Sequence, residues 1–349
     1  MSATRSTLID ALPRAFGEER PPVAWWLAGC LAITTVLTFG GLLVGTSSIH
    51  TSLRWILSPD AQSAVVLWDI RLPRTVGAWF VGALLGLAGA IAQGVFRNPL
   101  AEPYLLGTAS GAALGVTIVL FASGASVGAL AWTGQLGLAG AAVVGACAAI
   151  ALTIALARGV LQTSNLLLSG IVVGFLLSAV TSLLLLTKPD MWRTMQVFLL
   201  GSTGFLGWSS TSLLAVVFCV CAIPAVLFSR GLDALTLGED TAQSLGLSLP
   251  TLRLAMLGIV CAATAATVGE VGIVGFVGLV APHLVRETLT VNHRYLLIAS
   301  PLCGGALLQA ADLVSRWIIR PAELPVGAVT ACVGGAYLAL LLWRRTRDA

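Results

Sequence analysis

Ten apolar stretches constrain this chain more than any other feature. They fall at residues 23–46, 69–95, 105–122, 135–157, 164–187, 209–229, 252–269, 271–285, 295–314 and 326–343. A helix needs roughly 20 such residues to cross a bilayer core, so the expected fold is an all-α integral membrane domain of ten helices. Composition agrees. Of 349 residues, 57% are hydrophobic and 10% charged, where a soluble protein carries about 25% charged residues. A large soluble enzyme and a disordered tail are excluded. A net charge of +4, scattered along the chain, offers no nucleic-acid surface.

Residues 1–22 form a polar N-terminal segment, 23–343 the membrane domain and 344–349 a short tail. The first apolar run is too long for a signal-peptide core and reads as an uncleaved helix. Ten spans place both termini on one side. With the termini inside, twelve basic residues fall on cytoplasmic segments and seven outside. The positive-inside rule therefore puts both termini in the cytoplasm. The longest polar connections are 47–68 and 230–251. Leu72-Pro73 opens the second span and Leu249-Pro250 the seventh, in opposite directions, as inverted repeats would.

Several chemistries find no residues. The seven cysteines lack zinc-site spacing and read as small apolar packing groups. Lys188 is the single lysine and has no glycine-rich loop before it. The chain therefore holds no phosphate loop of its own, and ATP, if used, binds a separate subunit. A proton-coupled secondary carrier, the alternative reading, needs an acid inside the bilayer, and Glu270 is its candidate. His283 follows Pro282 and reads as structural. The small residues Gly107, Gly111, Gly115, Gly170 and Gly174 read as helix-packing faces.

Three stretches stand out. Arg71-Leu-Pro-Arg74 leads into a span that ends Gln93-Gly-Val-Phe-Arg-Asn-Pro-Leu-Ala-Glu-Pro-Tyr-Leu-Leu-Gly107. Leu237-Gly-Glu-Asp-Thr-Ala-Gln-Ser-Leu-Gly246 lies between spans six and seven. Gly272-Ile-Val-Gly-Phe-Val-Gly-Leu-Val-Ala-Pro-His-Leu-Val-Arg286 is followed by Ala311-Asp-Leu-Val-Ser-Arg316 and Glu323-Leu-Pro-Val-Gly327. From about residue 70 onward, their order and spacing resemble the permeases of bacterial ABC importers for ferric siderophores, haem and vitamin B12.

That resemblance implies a permease in the bacterial cytoplasmic membrane with ten helices, no catalytic residues and no metal or cofactor on the chain. It implies a second permease copy, identical or paralogous, around a central pathway. Two ATPase subunits would bind ATP-Mg, and an extracytoplasmic binding protein would deliver the cargo. A ferric siderophore is the first expectation for that cargo, ahead of cobalamin and haem.

Arg71 and Arg74 are three residues apart and share a helix face. An outward arginine group receives carboxylates well, and the resemblance implies that Arg71, Arg74 and Arg316 dock the binding protein. The plainer readings are headgroup snorkelling and pairing of Arg316 with Asp312 one turn earlier. Asp240 to Leu247 can make a short helix, with Glu239 and Asp240 at its N-terminus and Gly246 ending it. Leu237, Ala242 and Leu245 would give it an apolar surface. The resemblance makes Leu237, Gly238, Glu239, Asp240, Ala242, Leu245 and Gly246 the segment that couples to the ATPase. Pro99 and Pro103 break the chain between spans two and three. Asn98 and Leu100 there match one side of a cytoplasmic gate, and Thr163 and Ser164 the other. The plainer reading is a rigid connector with Ser164 as a helix cap.

Overall fold

A computed structural model describes residues 22–45, 49–58, 60–123, 132–160, 162–289 and 292–347. Among these residues the chain is helical, with no strands. The helices are α1 (Val23–Leu43), α2 (Ile49–Leu57), α3 (Ala61–Val65), α4 (Leu72–Phe96), α5 (Thr108–Ser123), α6 (Trp132–Leu156) and α7 (Thr163–Thr187). There follow α8 (Trp192–Leu200), α9 (Trp208–Leu227), α10 (Ser229–Thr236), α11 (Glu239–Ser244), α12 (Leu249–Val271), α13 (Val277–Thr288), α14 (His293–Trp317) and α15 (Val326–Arg347). Among the described residues, seven stretches are long and apolar enough to cross a membrane: 23–43, 61–96, 137–156, 163–187, 208–227, 249–271 and 293–317. Thr108–Ser123 and Val326–Leu341 are apolar but shorter.

The structure corrects three expectations. The eighth run is not one continuous helix from 271 to 285. Helix α12 continues through Val271, and residues 272–276 are non-helical, with Gly272 at φ 75° and Phe276 at φ 68°. Only the twelve residues of α13 follow, about 18 Å of helix at 1.5 Å per residue, so the return between α12 and α14 is part extended and part helical. The second span does not begin at residue 69, because the 47–68 connection is largely helical. It holds α2 and α3, and a π-helical stretch, Val66–Arg71, joins α3 to α4, so helix runs unbroken from 61 to 96. Finally, Ser164 caps nothing: Gln162 occupies the cap position and Thr163 already belongs to α7.

Helix α4 is the centre of the bundle. Nearly every side chain from Thr75 to Phe96 is buried. It packs against α1, α9, α12, α13 and α14. Its composition allows this, because glycine and alanine let other backbones approach closely. A Cβ at Gly82 would overlap the Gly304 carbonyl of α14, and one at Gly89 the Gly278 carbonyl of α13. The glycines of α5 work the same way: Gly111 lies against Gly145 of α6, and Gly115 against Ala141. Gly170 of α7 abuts Leu105. Leu72 and Leu249 open α4 and α12, each with proline in the first turn, where its missing N–H costs nothing.

Candidate transport and coupling sites

The fold sorts the singled-out residues to two opposite ends of α4. At the Leu72 end, an ionic network joins four parts of the chain. Asp312 of α14 is its hub. Its Oδ1 accepts from Arg74 Nη2 at 3.0 Å, Arg74 Nε at 3.2 Å and the Thr203 hydroxyl at 2.6 Å, and its Oδ2 accepts from Arg316. Arg74 also donates to Glu323 at 2.8 and 3.1 Å. Arg316 donates to the Gly41 carbonyl of α1 and to Thr75. Arg71 donates to the Leu42 carbonyl at 2.5 Å and Ser52 at 2.9 Å, and its guanidinium sits 5.4 Å from the Trp55 ring centroid.

These arginines are not displayed as open cations. Arg71 is 6% exposed and Arg316 3%, and the Arg74 side chain is 11% exposed. The i,i+4 pair of Asp312 and Arg316, the plainer reading, is present. Arg71 does not snorkel; it clamps α1 and α2 to the start of α4. Charges this buried persist only when paired and hydrogen-bonded. Arg74 is nearest the surface, because its partner Glu323 is itself a third exposed.

At the Phe96 end, α4 stops where Arg97 enters the left-handed region at φ 49°. Asn98 then makes a tight turn: its Oδ1 accepts from the Leu100 amide at 2.9 Å, and its carbonyl from the Ala101 amide at 3.0 Å. The two prolines thus bracket an ordered, non-helical turn. Leu100 projects from it, 41% exposed. Residues 103–106 form a single 3-10 turn. Glu102, just before it, accepts the Phe276 amide at 3.0 Å and so ties this connection to the break ahead of α13. Burial raises the Glu102 carboxyl above its usual 4.5, and the Phe276 hydrogen bond opposes that rise. Gln93 braces the same end, donating to the Leu279 carbonyl at 3.2 Å and accepting from Arg286.

Beside this turn lies the 230–251 segment. It folds as two short helices, α10 and α11, linked through Gly238 at φ 110°. Glu239 and Asp240 open α11, and Gly246 at φ 83° follows its end, a conformation glycine adopts without strain. Ala242 is wholly buried and anchors α11 inward, so it adds nothing to the outer surface. That surface is Leu237, 67% exposed, and Leu245, 64% exposed. Asp233 fastens α10 to α14 by accepting the His293 amide at 2.8 Å and sitting 2.7 Å from its Nδ1.

Pattern reading missed one cluster here. Glu239 Oε1 accepts from Arg97 at 2.7 Å and from Arg253 of α12 at 2.8 Å. Arg253 is fully buried and also donates to the Val160 carbonyl at 3.3 Å. A charged residue near the start of an apolar helix was the available signal. His283 is buried beside Tyr337 and 3.4 Å from Glu287, a packing position. The sulfurs of Cys147 and Cys261 lie 3.6 Å apart across α6 and α12. Glu270 sits at the last turn of α12, half-buried.

A helical membrane bundle with an ordered break at one end, a paired-helix projection beside it and an arginine-rich opposite end defines a multi-pass transport permease. Residues 31–344 match the model of the FecCD transport family, and the chain belongs to that family. It is 35% identical over 340 residues to the vitamin B12 import system permease protein BtuC of Escherichia coli O6:H1, covering 95% of this chain and 98% of that one. It is 34% identical over 318 residues to the hemin transport system permease protein HmuU of Yersinia pestis, covering 90% and 94%. Among solved structures, a metal-chelate type ABC transporter in an inward-facing conformation matches with a TM-score of 0.80 and 28% identity, covering 92% of this chain and 99% of that one. The family is that of ABC importer permeases for vitamin B12, haem or iron chelates.

Proposed function

We propose that this chain moves an iron chelate from an extracytoplasmic binding protein to the cytoplasm, driven by ATP that two partner subunits hydrolyse with bound magnesium. A ferric siderophore is the first cargo to test, with haem and cobalamin next. The chain pairs with a second permease copy in the bacterial cytoplasmic membrane, with both termini and residues 230–251 on the cytoplasmic side. It contributes no catalytic group or cofactor.

The observation that carries this reading is the α10–α11 unit. It is a small rigid projection, fixed to the bundle by Asp233, Ala242 and Glu239, that shows two leucines outward. A permease with no phosphate loop needs such a surface to receive force from another protein. The Asn98–Leu100 turn lies at the same end, and with Thr163 and Ser164 it would form the inner gate. Arg71, Arg74 and Arg316 would dock the binding protein at the opposite end. Because all three are engaged internally, that docking would act on the Asp312 network and would not simply land on free charges.

The test is uptake of labelled ferric siderophores, haem and cyanocobalamin by cells lacking the chain and by complemented cells. Selective, ATPase-dependent loss of one compound supports the proposal. Uptake that survives loss of the ATPase but fails in Glu270→Gln would overturn it in favour of the proton-coupled carrier.

A further inference from the structure

The Glu239 carboxylate lies at a fork. One branch runs through Arg97, the residue that ends α4 and immediately precedes Asn98. Arg97 holds a left-handed backbone, φ 49°, unusual for a residue with a Cβ. From there the Asn98 side chain and carbonyl accept from the Leu100 and Ala101 amides, so 98–101 is held as one turn. The other branch runs through Arg253, whose Nη1 donates to the Val160 carbonyl, three residues before Thr163. Glu239 therefore reaches the backbone leading to both proposed halves of the gate through two guanidinium groups, while standing in the first turn of α11.

The chemistry favours a firm link. Both bonds are charge-assisted. Arg253 is fully buried, and a buried guanidinium is strongly disfavoured once a carboxylate partner is removed. Arg97 is 39% exposed, so its bond is the more solvent-screened of the two. A surface acid placed only to complement the helix dipole would face solvent; this one turns back into the bundle toward two other segments.

We propose that Glu239 is the positioning residue that passes displacement of the α10–α11 unit to the gate, through Arg97 to Asn98–Leu100 and through Arg253 to the chain entering α7. This rests on the coupling and gate assignments made above.

The experiment uses the full importer, permease with its ATPase, reconstituted in nanodiscs. Leu100→Cys in a cysteine-free background is labelled with a water-soluble maleimide, without nucleotide and with ATP plus vanadate. ATP hydrolysis is read alongside to confirm assembly. In the parent, nucleotide changes the labelling rate. In Glu239→Gln and in Arg97→Gln, that nucleotide-driven change falls about tenfold, the worth of one charge-assisted hydrogen bond, and Arg97→Lys restores it. Arg97→Gln keeps the test open if Glu239→Gln fails to assemble, because Arg97 is the exposed partner. A full nucleotide response in assembled Arg97→Gln overturns the proposal. A parent with no nucleotide response at residue 100 overturns the gate assignment and the proposal with it.

Discussion

Asp312 and Arg74 form an ion pair 3.0 Å long between helices whose residues stand 238 positions apart. The same carboxylate holds Arg316 one turn along α14 and accepts the Thr203 hydroxyl. Its side chain is 1% exposed. One buried acid thus serves two arginines, of which Arg316 is buried and Arg74 also pairs with Glu323 at the surface.

Replacing Asp312 with Asn should strand Arg316. Breaking a buried pair by removing one partner costs about 3–5 kcal/mol, so Asp312→Asn should lower the thermal midpoint of the purified protein sharply. Asp312→Asn combined with Arg316→Met removes both charges and should recover much of the loss. Equal midpoints for the parent and Asp312→Asn would refute the buried-pair account.

The contact of Gly89 with Gly278 leaves no room for a side chain. Gly89→Leu should force α4 and α13 apart, costing about 1–3 kcal/mol or more as overpacking. Gly137 has open space around its Cβ position, and Gly137→Ala should leave stability unchanged. Size-exclusion profiles in detergent after stepwise heating would compare the two.

Leu237 and Leu245 should govern ATPase attachment. Burying such a side chain stabilises by about 1.5–3 kcal/mol, so Leu245→Asp should weaken ATPase binding roughly 10- to 100-fold. Ala242→Asp would instead disrupt α11 itself, because Ala242 points inward. Titrating the purified ATPase onto nanodisc-held permease gives the affinities. Unchanged binding in Leu237→Asp with Leu245→Asp would move the contact elsewhere.

Glu102 gives a pH dependence of known sign. Burial raises its carboxyl above the usual 4.5 in the folded protein. A raised acid binds its proton more tightly folded than unfolded, so its contribution is present at low pH. It is lost as pH rises through the folded value. Glu102→Gln, which stays neutral, should flatten the fall in thermal midpoint above pH 4.5. A Gln variant that follows the parent curve point for point would remove Glu102 as the source.

Much of this was legible before any coordinates. Long apolar runs fixed α1, α4, α6, α7, α9, α12 and α14, because a bilayer permits few alternatives to helix. The Pro99–Pro103 break and the short helix ending at Gly246 followed from backbone restriction alone. Two features were not legible. The glycines of Gly272-Ile-Val-Gly-Phe276 signal a short, broken helix, but hydropathy does not place the break, where φ turns positive at Gly272 and again at Phe276. The arginines posed the other difficulty. Charge counting along the chain assigns Arg71 and Arg316 to a side, yet their partners, the Leu42 and Gly41 carbonyls, come from α1, far away in sequence. Likewise, Glu239 read as a helix-end acid because Arg97 and Arg253 meet it only in three dimensions.

The burial of α4 has a consequence for how the protein is made. Its broadest neighbour, α14, leaves the ribosome only after most of the chain has been synthesised. Until then, α4 has α1, α9, α12 and α13 as they emerge, while the face that α14 will cover is left to lipid. The α4 mean hydropathy of 1.8 over the best window lets it wait there. The late arrival of α14 then closes the bundle around a helix inserted near the start.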